Sequence, residues 1–302
     1  VPAPVVVLAG GTGGAKLARG MLDLAGDDLV VIANTGDDIE LYGAHVSPDP
    51  DLCAFWLADR IDARGWGLDG DTFAVMDGLR ELGADVWFNL GDRDLAYGLR
   101  RAERLRAGAR LTEAHGEIVR ALGITARVLP MSDDPVRTEV LTSGTWVDLQ
   151  RFLILHRGAA VEGVRMAGID TAAPSPEVLE AIASARAIVI GPSNPVISIG
   201  PILALRGLRD AITAAPAPVL AVSPIVGGRV LKGPTAAFLA HTGHAADAAG
   251  VAAQYTGLLD GIVCDEPWSG DVPALRCDTM LGDPTARARV AAATLQFAES
   301  LQ

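Results

Sequence analysis

Lysine is almost missing from this 302-residue chain: of 25 basic residues only Lys16 and Lys232 are lysine. Cysteine is nearly as scarce. Cys53, Cys264 and Cys277 lie far apart with no C-x-x-C pair, which argues against a disulfide framework or a thiolate zinc site and for reduced, buried thiols. Basic charge is short as well. A net charge of −12 speaks against nucleic acid as a partner, because a phosphate backbone needs a basic face. No apolar run reaches the roughly 18 residues of a membrane span. The first residues read as a strand rather than a basic leader, so no membrane association and a cytoplasmic location are expected. H-E-x-x-H, G-x-S-x-G and Cys/His clusters are missing. The histidines (His45, His115, His156, His241, His244) fall in no metal-binding spacing and are expected at the surface or in packing. Internal repeats and low-complexity linkers are missing too.

What is present begins with Val5-Val6-Val7-Leu8-Ala9, followed by Gly10, Gly11, Thr12, Gly13 and Gly14 and then a helical pattern containing Lys16. A short valine-rich run reads as a buried parallel strand. Glycines let the backbone turn sharply and approach a ligand, and the N–H groups at the start of the next helix suit a phosphate. A tight turn that binds nothing is the alternative. The dinucleotide fingerprint G-x-G-x-x-G fails, because its third glycine position is Lys16, and the Walker pattern fails as well. Each lysine stands beside a glycine loop; the second, Lys232, follows Gly227-Gly228. A compact point charge for a phosphate is one reason to keep lysine there; chance is the other.

Further along, apolar runs alternate with helical patterns. Strands are expected at 29–34, 86–90, 125–129, 187–190, 219–222 and 257–264, and helices at 15–24, 52–64, 72–82, from 95, 104–122, 176–185, from 235 and 284–301. The pattern predicts an α/β, Rossmann-like, doubly wound and mostly parallel sheet with helices on both faces. The core is expected over about 1–130 and 186–302, with a small inserted cap subdomain over about 136–173. Unusual residues gather where strands end, the edge at which such sheets bind ligands. They include Asn34-Thr35-Gly36-Asp37-Asp38, Gly91-Asp92-Arg93-Asp94, Ser132-Asp133-Asp134 and Gly191-Pro192-Ser193-Asn194-Pro195 with Ser198. Asp37, Asp38, Asp49 and Asp51 supply hard oxygen ligands of the kind that hold Mg²⁺ together with substrate phosphates. For Asp51 an N-cap role is the competing reading. Such tools suit transfer of a phosphoryl-type group, in which positioning and charge stabilisation dominate.

In this order and spacing, the chain resembles the 2-phospho-L-lactate transferase family (CofD/FbiA) of coenzyme F-420 biosynthesis. The likeness runs from Val5 to about Ala298 and rests on the motifs above together with Ser47-Pro48-Asp49-Pro50-Asp51, Leu129 to Pro135 and Ser223-Pro224-Ile225-Val226-Gly227. It implies a single catalytic domain over 1–302 that joins a lactyl- or enolpyruvyl-diphosphoguanosine donor to Fo, the deazaflavin with a ribityl tail. GMP leaves, and Mg²⁺ assists. Asp37 and Asp51 would hold metal and donor, and the Gly10–Gly14 loop with Ser193 and Asn194 would take the guanosine phosphates. Asp51 and Asn89, which replaces the lysine of some relatives, would lie near Fo. Lys16, Asn34, Asp38, Asp49, Asp92, Arg93, Ser132, Asp133, Asp134, Pro195, Ser198, Gly227 and Lys232 complete the expected substrate-binding set. Trp56, Trp87 and Phe88 are available either to stack on Fo or to fill the core. The family also suggests a homodimer. A related group, the YvcK-type regulators that bind a nucleotide or nucleotide sugar, is the rival, but it resembles this chain less in the 47–51 and 191–195 loops. An NAD-dependent oxidoreductase fits less well, lacking the third glycine and carrying Asn34 where an acidic ribose ligand is wanted.

Overall fold

The structure, a computed structural model, describes residues 3–302. Seven short runs become the strands of one sheet: β1 (Val5–Ala9), β2 (Leu29–Ala33), β3 (Arg127–Pro130), β4 (Ala187–Ile190), β5 (Val219–Val222), β6 (Gly261–Cys264) and β7 (Ala274–Arg276). Their order across the sheet is β3-β2-β1-β4-β5-β6-β7, and every pairing is parallel. β1 sits between β2 and β4, with Val5 level with Leu29 on one side and Ala187 on the other. The central strands are buried at every residue, which parallel strands covered on both faces require.

The helices are α1 (Gly11–Ala25), α2 (Pro48–Leu57), α3 (Ala74–Glu81), α4 (Asp92–Arg106), α5 (Leu111–Ala121), α6 (Leu149–Leu155), α7 (Pro176–Ala183), α8 (Ile199–Ala204), α9 (Leu208–Ala214), α10 (Thr235–His241), α11 (Ala248–Ala253) and α12 (Pro284–Ser300). Because side chains alternate along a strand, Val5, Val7 and Ala9 pack with α1, α2, α5 and α12. Val6 and Leu8 pack on the other face with α7, α8, α9 and α11. The sheet is therefore doubly wound. Residues 137–167 form a separate antiparallel sheet, Thr145–Asp148, Arg137–Thr142 and Gly163–Ala167. With α6 it has its own apolar cluster around Val140, Leu149 and Phe152.

Several expectations are corrected. Residues 86–90 form no strand. Tyr42 takes the place of a ladder partner: its hydroxyl donates to the Phe88 carbonyl at 3.0 Å and accepts the Phe88 N–H at 3.3 Å. The third strand of the sheet is Arg127–Pro130, and β7 was not anticipated. The stretch 104–122 is not one helix but the end of α4 and all of α5, separated by a turn in which Gly108 has φ +88°. The second helix begins at Pro48, whose fixed φ suits a first helical position, and stops at Leu57. The first begins inside the glycines, at Gly11.

Candidate active site

Strand order reverses between β1 and β4, and in open α/β sheets ligands bind outside the carboxyl ends of the strands at such a point. The loops after these two strands interlock. The Gly10 N–H donates to Ser193 Oγ at 3.1 Å. Gly11 has φ +63°, in the left-handed region that favours glycine, and a side chain on Gly13 would collide with the Pro192 carbonyl. A Cβ on Gly10 would lie 2.6 Å from Ser198 Cβ and 2.8 Å from Asp49 Oδ2. Thus Gly10, Gly11, Gly13, Gly14, Ser193, Ser198 and Asp49 share one place, the start of α1. Thr12 lies in its first turn.

The acidic residues divide into two pairs. At the end of β2, Asn34 Nδ2 donates to Asp49 Oδ2 at 2.9 Å and reaches Asp37 Oδ1 at 3.4 Å. Asp49 Oδ1 also accepts the Gly11 N–H at 2.5 Å, and Asp37 Oδ2 accepts from Gln150 Nε2 at 2.8 Å. Asp37 is 8% exposed and Asp49 6%, and neither has a salt-bridge partner among the described residues. Burial, reinforced by Asp49 and Asp38, pushes the Asp37 carboxyl well above its ordinary range. Burial likewise lifts Asp49 to about 6, against the hydrogen bonds from Asn34 and Gly11.

Asp38 and Asp51 are answered differently. Asp38 accepts from Ser47 Oγ at 2.8 Å and lies 3.0 Å from His45 Nε2. Burial disfavours charge on His45, but Asp38 and Glu40 outweigh it and raise the ring's pKa. Asp51 pairs with Arg101, a completely buried guanidinium that also donates to the His45 carbonyl at 2.9 Å. Burial still raises the Asp51 carboxyl despite Arg101. The cap reading of Asp51 is corrected: Ser47 precedes the helix, and Asp51 is its fourth residue. Asp94 lies by this second pair, where burial and then Asp51 push it to about 7.

Other predicted residues have local partners. Asp92 accepts from the Ala74 and Val75 N–H groups and from Thr72 Oγ1, so it caps α3. In return Asp71 accepts from Arg93 and Asp94 and caps α4. Asn89 Oδ1 accepts from Arg80 at 2.6 Å, and the Arg93 side chain is exposed. Asp133 accepts the Thr112 N–H, Ser132 donates to the Ala173 carbonyl, and Asp134 accepts the Ala173 N–H. Asn194 Oδ1 accepts from Val196 and Ile197, ordering the stretch that contains Pro195. The Gly227 N–H donates to Asp265 at 2.6 Å. Lys16 and Lys232 lie on the α1 flank, near Trp56 and Trp66 respectively.

Arg101 and Gln150 escaped the sequence reading. Arg101 sits in a run of charges that reads as a solvated helix face, and Gln150 lies 113 positions from Asp37. His45 and His115, expected at the surface or in packing, are buried against the acidic residues.

Among the described residues no group of three or more His, Cys, Asp or Glu side chains is arranged to hold a metal. Mg²⁺, however, is usually held by one or two carboxylates plus water and substrate phosphate. Asp37 and Asp49, both buried and answered only by amide and backbone N–H groups, fit that requirement.

A doubly wound parallel sheet with a glycine loop and buried carboxylates at its switch point defines a Rossmann-type α/β protein. The family model for "2-phospho-L-lactate transferase CofD" matches residues 5–275. The chain is 41% identical to a "Phosphoenolpyruvate transferase" of Streptomyces griseus, over 99% of each chain. It is 40% identical to a "2-phospho-L-lactate transferase" of Methanosarcina mazei, over 87% of each. Among solved structures, a UPF0052-family protein from Bacillus halodurans superposes with a TM-score of 0.64 at 19% identity, covering 98% of this chain and 99% of that one; that likeness shows the fold alone. The chain belongs to the 2-phospho-L-lactate transferase CofD family.

Proposed function

We propose that this transferase moves a phosphoenolpyruvyl or phospholactyl group from a diphosphoguanosine donor to the ribityl hydroxyl of Fo, releasing GMP, in coenzyme F-420 biosynthesis. The observation that carries this reading is the Asp37–Asn34–Asp49 bed, hydrogen-bonded to the first N–H of the glycine-loop helix. Buried negative charge without a cationic partner suits a bound Mg²⁺, which would neutralise diphosphate charge on the donor. Asp37 and Asp49 would hold it. Asp51, kept in place by Arg101, would face the acceptor. The relative from S. griseus, matched end to end, is named for phosphoenolpyruvate, which makes the enolpyruvyl donor the first to test.

The test is a one-pot reaction of the protein with Fo, Mg²⁺ and either the enolpyruvyl or the lactyl donor, followed by mass spectrometry. GMP together with a phosphodiester of Fo is expected. Release of neither product from either donor would overturn the reading.

A further inference from the structure

Three cations meet on the flank of α1. Lys16 Nζ lies 5.5 Å from the centroid of the Trp56 ring, and Arg287 Cζ of α12 lies 5.1 Å from the same ring. Lys232 comes from the segment after β5. Its Nζ lies 4.9 Å from the Trp66 ring and donates to the Arg64 carbonyl at 3.1 Å. A Cβ built on Gly65 would lie 3.7 Å from Lys232 Nζ, 3.8 Å from Thr12 Cγ2 and 3.8 Å from Trp56 Cζ2. The second lysine therefore reaches the same place as the glycine loop and the indole that Lys16 covers. Trp56 is 7% exposed, and its indole N–H is buried with no acceptor among the described residues.

None of these cations has a carboxylate within salt-bridge distance among the described residues. The contrast with Arg19 is informative, because Arg19 lies one turn further along the same helix and is bonded to both Asp23 and Asp59. In a chain with net charge −12, acidic groups are plentiful, yet the carboxylate beside this cluster, Asp62, which accepts the Gly65 N–H at 3.0 Å, is paired with Arg64 and with none of the three cations. Burial, then Lys232, then Arg287, lowers the Lys16 pKa. Like charges gathered in a half-buried place are unfavourable until an anion joins them.

The obvious anion site nearby, the N-terminus of α1, already holds a negative group, because Asp49 accepts the Gly11 N–H. Lys16 is five residues along from Gly11, about 7.5 Å at 1.5 Å per residue, a distance that one diphosphate-bearing molecule spans.

We infer that Lys16, Lys232 and Arg287 form an oxyanion site around Trp56, which receives a phosphate or carboxylate group of the substrate whose remainder lies at the Asp37–Asp49 bed. Naming the anion as part of the donor rests on the transferase reading; the site itself does not. The shared chemistry is a compact oxyanion, supplied either by the donor's diphosphate or by the carboxylate of its three-carbon acid. Lysines suit it as point charges, and arginine as a planar fork.

The experiment is calorimetric titration of the full chain, in EDTA, with inorganic pyrophosphate and separately with phosphoenolpyruvate. Wild type is expected to bind at least one of them. Lys16→Met and Lys232→Met should each weaken that binding tenfold or more, whereas Lys16→Arg should stay within threefold. Tighter binding of phosphoenolpyruvate assigns the carboxylate; tighter binding of pyrophosphate assigns the diphosphate. No binding of either probe at 10 mM, on the order of a 3 kcal/mol interaction, would overturn the site. So would methionine variants that bind within twofold of wild type. Lys232 is exposed, so its variant tests the site even if Lys16→Met does not fold. If the titration fails while wild type still releases GMP from the donor, only this site is lost. If the titration succeeds and no GMP appears, only the transferase reading is lost.

Discussion

Asp37 and Asp49 resemble Asp38 and Asp51 in every respect a sequence displays: four aspartates, close together, after or near a strand end. They differ in what answers them. Asp38 has His45 and Ser47, and Asp51 has Arg101. Among the described residues, Asp37 and Asp49 have only amide and backbone N–H donors. A buried carboxylate with a cationic or imidazole partner is part of the framework. One without such a partner is held at a free-energy cost that a bound cation removes. The comparison separates a partnered framework pair, Asp38 and Asp51, from an open pair, Asp37 and Asp49, that no cation or imidazole answers among the described residues; on the proposed reading the open pair takes Mg²⁺, and Arg101 keeps Asp51 in place before the acceptor.

The strongest way to break it is to neutralise the open pair. Asp49→Asn is expected to lower turnover about a thousandfold, roughly 4 kcal/mol, and Asp37→Asn similarly. Both should abolish the heat of Mg²⁺ binding. The melting temperature should change little in either, because each removes a buried negative charge but also leaves one N–H donor without its oxygen acceptor. Full Mg²⁺-dependent turnover in both variants would make the open pair structural.

The framework pair predicts the opposite. Arg101→Met leaves Asp51 buried without its guanidinium and should cost roughly 3–5 kcal/mol in urea unfolding. The double variant Arg101→Met/Asp51→Leu should recover most of that loss. If Arg101→Met loses activity but no stability, Arg101 belongs with the open pair.

The pH dependence sharpens the same division. Asp49 titrates at about 6 in the folded chain against an ordinary 3.8, so between these values the native state binds more protons than the unfolded one. Its contribution to stability therefore falls as pH rises from about 4 to 6. The stability of Asp49→Asn relative to wild type should grow over that window by roughly 2–3 kcal/mol, and added Mg²⁺ should shrink the difference. His115 acts in the other direction. Burial and then Arg101 hold its ring neutral, well below the usual range, so its contribution is lost as pH falls through about 6.5. Measuring the variant against wild type at each pH cancels that slope.

The sheet was legible because its central strands are continuous apolar runs, and the glycine loop because four glycines before a helix have few other uses. The strand expected over 86–90 failed because Trp87 and Phe88 suit a strand by propensity, while Tyr42, distant in sequence, supplies the hydrogen bonds. Arg101 and Gln150 were illegible for a related reason. Their roles exist only once α4 and α6 are packed against the ends of β2 and α2, and nothing in their own neighbourhoods marks them. Asp92 and Asp133 were legible as aspartates at element ends, but cap and ligand look the same in a sequence.

Asp133 gives the smallest effect and the finest test of that ambiguity. Its Oδ1 accepts the Thr112 N–H at 2.8 Å and its Oδ2 lies 3.1 Å from Arg110, so it satisfies an otherwise unpaired donor at the start of α5. Asp133→Ala should therefore cost about 1 kcal/mol of stability, read from urea unfolding, and leave KM for donor and acceptor unchanged. Asp133→Asn, which keeps an oxygen acceptor, should recover most of the loss. A cap is indifferent to substrate, whereas a ligand is not. A tenfold rise in KM for either substrate, without loss of stability, would move Asp133 from the framework into the binding surface, and the division drawn among the aspartates would then have to be redrawn to include the loop after β3.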